Sequence, residues 1–551
     1  MKIFKFCTPY LKLEKKKIIL YIFLAIVSAI IGILSPYILG NFVDYLVKGG
    51  DRQIIFKFCI IYSGLNLFRI IKDFVSSILY TKIQIKIGYN LNIFIIQHIQ
   101  KLSILFLSKK EEAYLNQRIN GDSYNLITFC IETLENVFVN IIFLIVPVIM
   151  LYNMNKFITI IMLGYISLYV MVYLLLKEKI YIAGFKFKEG QAKFFSRLFE
   201  QFKYIKLIKL NSIREEINNR LFREFSKFFE TAVQCQKTNF LYNSLDSIIS
   251  IIAQITLFII GGFHVLNGSF TIGMFTIFSS YFNMILNASS YFFSLGSSYQ
   301  DSISSYNRIK EILDVDVETN GNIKLSNIEK ISLKNVTFSY NLHDSYNIIQ
   351  SFSYEFCKGN IYSIMGSNGV GKSTLINLLL GIYIDEHKGI ISYNNINIQN
   401  IDMISARKDL IGIAEQEPTL INDSILYNII FNNSTSEDNK KKIYQYSKIL
   451  NIEEFMRTRT LDFYLDEKNT NLSGGEKQKL AILKVMLKNP EVIIFDEPTS
   501  ALDTNTSIKF IDYLKSIKKD KIIINITHDN ALAKQSDFII NLNGNLNEEK
   551  K

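Results

Sequence analysis

The sequence predicts two joined fold classes, an α-helical membrane domain followed by an α/β P-loop nucleotide-binding domain. Three observations predict them. Apolar residues crowd before Tyr299 and thin out after it, in a chain of 551 residues that is 49% hydrophobic. Six apolar stretches in the first part each approach the roughly 20 residues that cross a bilayer as helix. The second part carries a complete phosphate-binding loop, Gly366-Ser367-Asn368-Gly369-Val370-Gly371-Lys372-Ser373-Thr374.

Composition narrows the function classes. The length accommodates about two to four domains, and the mean hydropathy of +0.18 is high for a soluble chain of this size. The formal net charge is +11. Such an excess serves nucleic acid or marks cytoplasmic loops beside a membrane. The loop charges favour the membrane, so a lipid bilayer is the expected partner and nucleic acid is not. Cys7, Cys59, Cys130, Cys235 and Cys357 show no metal or redox spacing and read as reduced small residues. The excess of Ile, Lys and Asn reads as the bias of an AT-rich genome, with a bacterial source expected.

The apolar stretches are 18–47, 56–80, 134–152, 157–176, 248–266 and 270–295. The first is too long for a signal peptide and no small-residue cleavage site follows it. Lys2, Lys5, Lys12, Lys15, Lys16 and Lys17 precede it, and the long segments near 81–125 and 177–240 are also rich in Lys and Arg. The short connections 48–52, 153–156 and 267–269 carry little net charge. The positive-inside rule then places the N-terminus and both long loops in the cytoplasm. Six spans return the chain there near Tyr299, where the soluble half begins. The long loops read as continued helix, with apolar residues at three- and four-residue spacing in 195–229. The expected domains are an N-terminal interfacial segment 1–17, a transmembrane domain 18–300, a linker 301–328 and an ATP-binding domain 329–551.

Charges inside spans are costly, which singles out Arg69, Lys72 and Asp73. Arg69 and Asp73 are four apart and can pair on one helix face. They are read either as an internal pair or as a wall of a transport cavity. Asp246, Gln254, Asn283 and Asn287 are read as cavity residues or as hydrogen-bonding groups between helices.

In the soluble half, 360–365 reads as a strand, and the phosphate loop then leads into a helical run. Its glycines let backbone N–H groups curl around phosphates, and the helix start adds its positive end. Lys372 suits the β- and γ-phosphates of ATP, and the Ser373 hydroxyl suits Mg²⁺. The apolar run 492–495 reads as a buried strand delivering Asp496, a second Mg²⁺ holder. Glu497, one residue on, can polarise the attacking water.

Between these motifs lies Leu472-Ser473-Gly474-Gly475-Glu476, and after them Pro498-Thr499-Ser500-Ala501-Leu502-Asp503. In this order the motifs resemble those of ABC transporters of the exporter type, a half-transporter with an ABC helical subdomain in its ATPase. The resemblance covers nearly the whole length and is most specific in the ATPase motifs. It implies that Tyr340 stacks on adenine and that Gln416 touches Mg²⁺. It implies that Ser473, Gly474 and Gly475 close on ATP held by the opposite subunit, that Asp503 is the D-loop aspartate, and that His528 is the switch histidine. Pro36 to Asp44, Arg118 to Asp122, Gly268 to Gly273 and Arg308 are similar to elements of the exporter membrane half. Two departures stand out. Asp466 and Asn469 replace glycines expected beside Glu467, and Glu476 replaces a frequent Gln.

The expected function is ATP-driven export by alternating access, with ATP hydrolysed at two composite sites of a dimer. One intact set of motifs favours a homodimer over a heterodimer with a second half-transporter subunit. An importer on the exporter fold and an ATP-gated channel are the alternatives, and six spans argue against a non-transporting ABC ATPase. The 551 residues hold no peptidase-like segment ahead of the first span, so leader cleavage is not expected of them. Arg69, Lys72 and many aromatic and hydroxyl groups point to a peptide or an amphiphile as cargo.

Overall fold

The computed structural model describes residues 2–49, 51–110, 112–340, 347–432, 435–465, 472–500, 502–542 and 549–550. They form two compact units. One comprises residues 1–99 and 112–314, the other 100–111 and 315–551.

The first unit is helical. Its elements are α1 (Lys2–Leu13), α2 (Lys15–Val47), α3 (Arg52–Ile99), then α5 (Glu112–Asn116), which follows the short α4 (Ile104–Ser108) of the second unit. A π-helical turn, Gln117–Asp122, leads into α6 (Ser123–Met154), α7 (Lys156–Lys203), α8 (Ile205–Asn211), α9 (Arg214–Leu266) and α10 (Ile272–Leu313). Among the described residues, the helical segments containing α2, α3, α6, α7 and α9 are long and apolar enough to cross a membrane. α10 holds the sixth expected stretch, which is interrupted by Ser, Tyr and Asn residues that lower its hydropathy. α10 also continues past residue 300, so the first half of the expected linker is helix. The continuous helix expected through 195–229 is broken at Tyr204 and again around Ser212, which takes the left-handed conformation.

Two apolar clusters hold this unit together. One joins Ile3 and Cys7 of α1 to Ile83, Ile87, Leu91 and Ile95 of α3 and to Leu126 and Cys130 of α6. The α3 residues recur every four positions, the spacing of one helix face. The other centres on Phe278, Tyr281 and Phe282 of α10 with Leu257 of α9.

Asp73 pairs with Lys72 at 2.6 Å and with Arg69 at 3.8 Å, so the tighter partner is the adjacent lysine, which is buried. Gln254 donates to Asn283 across α9 and α10 at 2.9 Å, one of the two readings of those amides. Asn287 is exposed, and the side chain of Asp246 lies outside the described residues.

The second unit holds two sheets. Strands β1 (Lys330–Phe338), β2 (Ile349–Cys357), β4 (Lys388–Tyr393) and β5 (Ile396–Asn397) form an antiparallel sheet in the order β2-β1-β4-β5. The other sheet has the order β10-β9-β3-β8-β7-β6. Its members are β3 (Asn360–Met365), β6 (Ile411–Ala414), β7 (Val492–Asp496), β8 (Ile522–Ile526), β9 (Phe538–Asn541) and β10 (Glu549–Lys550), and only β10 runs antiparallel. Central parallel strands are covered on both faces, which explains the unbroken apolar runs of β7 and β8. Ile364, Ile494 and Ile524 face one core, while Ile361, Ile493, Phe495 and Ile523 face the other.

The helices are α11 (Lys372–Leu379), α12 (Met403–Asp409), α13 (Ile425–Ile430), α14 (Glu437–Ile449), α15 (Glu453–Thr458), α16 (Gly474–Lys488), α17 (Thr504–Ile517) and α18 (Asn530–Lys534). α13 to α16 share the second core through Ile429, Ile443, Met456 and Leu480, forming the helical subdomain. The segment 100–111 belongs here because Leu105 of α4 packs on the first core and the Lys101 carbonyl accepts from the Glu318 amide at 2.8 Å.

Candidate nucleotide site

The site lies beyond the carboxyl ends of β3, β8 and β7, where open α/β sheets bind their ligands. β3 ends at Met365 and the chain turns through Gly366, Gly369 and Gly371, whose φ angles are +159°, +83° and +104°. A side chain at Gly371 would also come within 2.9 Å of Ile348. Glycine is required there both by backbone conformation and by space. Gly371 caps α11, whose first turn contains Lys372, Ser373 and Thr374.

Four side chains predicted for the site meet in one chain of contacts. Lys372 Nζ donates to the Gly366 carbonyl at 2.6 Å and lies 2.8 Å from His528 Nε2. With the ammonium as donor, Nε2 is the acceptor and the imidazole proton sits on Nδ1. His528 Nε2 is 3.5 Å from Glu497 Oε1, and Gln416 Nε2 donates to Glu497 Oε2 at 2.8 Å. A lysine, a histidine, a carboxylate and an amide from four separate segments thus converge beside the phosphate loop.

Glu497 is held rigidly. Its amide donates to the Ile526 carbonyl at 2.8 Å, and its own carbonyl accepts from buried Gln478 at 2.7 Å. Its φ is +51°, a left-handed conformation that costs a non-glycine residue on the order of 1–2 kcal/mol. Such strain persists where surrounding bonds impose it, and it concentrates at functional sites. Gln478 is a residue that sequence reasoning missed, since nothing in its spacing distinguishes it from other helix residues.

Asp496 ends β7. Burial, then the adjacent Glu497 carboxylate, push its carboxyl above the usual range, with Lys372 opposing and Glu415 adding to the rise. Crowded carboxylates of this kind suit a divalent cation, whose charge relieves their repulsion.

Tyr340 is half-exposed, edge-on to Phe338 and Tyr383, and its hydroxyl lies 3.0 Å from the Thr374 hydroxyl. That anchors the ring beside α11. Asp503 caps α17, accepting from the Thr506 amide at 3.0 Å and its hydroxyl at 2.6 Å, which hold its carboxyl down at about 2.

Ser473 caps α16 and is exposed, as is Gly474, while Leu472 anchors the turn in the core. Among the described residues neither Ser473 nor Asp503 shares a hydrogen bond with the phosphate loop of its own chain. Asp466, Glu467 and Asn469 lie outside the described residues.

The fold and the site define a P-loop ATPase carried on a helical membrane domain. Residues 18–289 match the ABC transporter transmembrane region, and residues 349–500 match the ABC transporter family. The lactococcin-G-processing and transport ATP-binding protein of Lactococcus lactis subsp. lactis is 26% identical over 518 residues, covering 93% of this chain and 72% of that protein. The microcin-J25 export ATP-binding/permease protein of Escherichia coli is 26% identical over 542 residues, covering 95% and 91%. In fold, the chain is similar to a bacterial Atm1-family ABC exporter with ATP bound. The TM-score is 0.83 at 20% identity, over 96% of this chain and 94% of that one. The chain belongs to the ABC transporters, of the exporter type. It is a nucleotide-binding, multi-pass membrane protein, an ATP hydrolase coupled to transport that pairs with another ABC subunit.

Proposed function

We propose that two copies of this chain form an exporter in the cytoplasmic membrane of a bacterium, with the N-terminus and the ATPase unit in the cytoplasm. Each composite site takes its phosphate loop from one copy and Ser473, Gly474 and Gly475 from the other. The observation that carries this reading is the exposure of Ser473 and Gly474 at the start of α16, unbonded to their own phosphate loop. A helix start with free N–H groups attracts an anion, and here that anion is supplied by the partner's ATP. The tip of the long α7–α9 hairpin supports pairing too, since Tyr204, Ile205, Leu207 and Leu210 are all exposed there.

Within one site, Lys372 and the loop amides bind phosphate, and Tyr340 offers a ring beside α11 for the base. Ser373, Gln416 and Asp496 would hold Mg²⁺, which supplies positive charge against the phosphates. Glu497 orients and polarises water, held by Gln416 and by its backbone bonds to Ile526 and Gln478. His528 lies between Lys372 and Glu497, with Nε2 2.8 Å from Lys372 Nζ and 3.5 Å from Glu497 Oε1, where it is placed to sense the phosphate. The domain limits proposed are those of the sequence reading, 1–17, 18–300, 301–328 and 329–551, except that α10 runs on to Leu313 and takes the first half of the linker into the helical unit.

The cargo we assign is a peptide. The names of two relatives matched over more than nine-tenths of this chain refer to lactococcin G and microcin J25, and Arg69, Lys72 and Asp73 add polar groups to a helical unit rich in aromatics. The test is uptake of a labelled peptide into inside-out vesicles. Uptake that requires ATP, and that Glu497→Gln abolishes while ATP binding persists, supports the reading. Passive flux that ATP merely gates would overturn it.

A further inference from the structure

We infer that Glu476 is an electrostatic latch on Ser473, a positioning residue that opposes closure on the partner's ATP. This rests on the proposed contact between Ser473 and that nucleotide. The Glu476 Oε2 atom accepts from the Ser473 amide at 2.7 Å and from the Ser473 hydroxyl at 2.8 Å. The Ser473 oxygen in turn accepts from the Glu476 amide at 3.2 Å. This is a reciprocal capping box, which fixes the serine in an N-cap geometry with φ −72° and ψ 158°.

The box has a second consequence in this position. A serine hydroxyl has one proton to donate, and here that proton is aimed at a carboxylate. A phosphate oxygen arriving from the partner competes with Glu476 for the same donor. The carboxylate also sits in the first turn of α16, where the positive helix end would otherwise meet the phosphate. Two anions therefore contend for one set of donors. Among the described residues no ion pair of Glu476 is found within 4 Å.

Glutamine separates the two roles. It closes a capping box as glutamate does, but its neutral carbonyl is a weaker acceptor and repels no phosphate. Alanine removes both roles. The measurement uses the full-length transporter in nanodiscs with MgATP as the probe. Two readouts are followed: the concentration that half-closes spin-labelled ATPase units, and the KM for hydrolysis.

Glu476→Gln is expected to lower both concentrations about two- to fivefold at low salt, the range expected for one charge at a helix end. The gap between this variant and the parent narrows as salt rises from about 0.02 M to about 0.5 M, because exposed charges are screened. Glu476→Ala raises both concentrations and lowers the melting temperature of the nucleotide-free protein, reporting loss of the cap. Unchanged closure and KM in Glu476→Gln, with Ser473→Ala inactive, would overturn the latch alone. Full activity and closure in Ser473→Ala would overturn the cross-subunit reading and the latch with it.

Discussion

The Asp44 carboxylate accepts a 2.5 Å hydrogen bond from the Gly273 amide, although 229 residues separate them. Asp44 also accepts from the Thr271 hydroxyl at 2.5 Å, and that hydroxyl accepts from the Met274 amide at 3.0 Å. The end of α2 thereby caps the start of α10. Close approach makes this possible: a side chain on Gly273 would collide with the Gly40 carbonyl and with Asp44, and one on Gly40 with Ile277 and the Gly273 carbonyl.

Removing the carboxylate exposes the cost of that cap. Asp44→Ala leaves the Gly273 amide and the Thr271 hydroxyl without their partner, a loss of about 1–3 kcal/mol. Gly273→Ala forces the helices apart, with a similar penalty for overpacking of roughly 1–3 kcal/mol. Both variants are expected to melt several degrees below the parent in the same detergent. An unchanged midpoint for either would show that the junction contributes little to stability.

Asp122 forms the corresponding junction at the other end of the unit. It is buried and accepts from Arg118 at 3.0 Å, from Ser305 at 3.0 Å, and from two nitrogens of Arg308, the Nε at 3.0 Å. Arg118 also lies over the Tyr114 ring at 4.3 Å. The π-helical turn that ends at Asp122 swings the carboxylate toward α10, in keeping with the use of such turns at functional positions. Asp122→Ala strands two guanidinium groups, and breaking a buried pair costs roughly 3–5 kcal/mol. Arg308→Lys keeps the charge but loses the fork and should be intermediate. Chemical unfolding ranks the three proteins. Equal stability of the lysine variant and the parent would show that charge alone suffices.

These junctions mark the limit of what the sequence discloses. The phosphate loop and the β7 carboxylates are legible because each is a local pattern whose chemistry needs those residue types at that spacing, whereas His528 enters only through the family resemblance. Pro36 to Asp44 and Gly268 to Gly273 were legible only as separate resemblances. Their meeting depends on helix packing, which one sequence does not encode locally. Asp122 and Arg308 were likewise noticed apart. The break at Tyr204–Ile213 was hidden because apolar periodicity continues across it, and only backbone conformation at Ser212 reveals the turn. Lys72 displaced Arg69 as the closer partner of Asp73 because an adjacent long side chain can fold back, which helix-face counting ignores.

The left-handed backbone of Glu497 predicts that stability and catalysis trade against each other. Glycine adopts that conformation without steric cost, offset in part by its larger conformational entropy. Glu497→Gly should gain about 0.5–1 kcal/mol while losing hydrolysis. Glu497→Gln should lose hydrolysis without the gain, since it keeps the Cβ. Denaturant titration of the two inactive variants separates strain from charge. If they unfold together, the strain at this residue is negligible.

If Asp496 holds Mg²⁺ as proposed, its carboxyl is expected to set the pH dependence of metal binding. Burial and Glu497 raise its proton affinity, so the protonated form persists to higher pH than for an ordinary aspartate. A divalent cation needs the ionised carboxylate, so Mg²⁺ binding releases a proton and weakens as pH falls, beginning above the usual carboxylate range. Glu497→Gln removes the neighbouring charge but leaves the burial. Its Mg²⁺ affinity should therefore start to weaken at a lower pH than the parent's, even though the variant carries one fewer negative charge near the ion. Calorimetric titration across the acidic range, in buffers of different ionisation heat, reads both affinity and proton release. Identical pH profiles in the two proteins would show that Glu497 does not govern Asp496, and that burial alone sets its proton affinity.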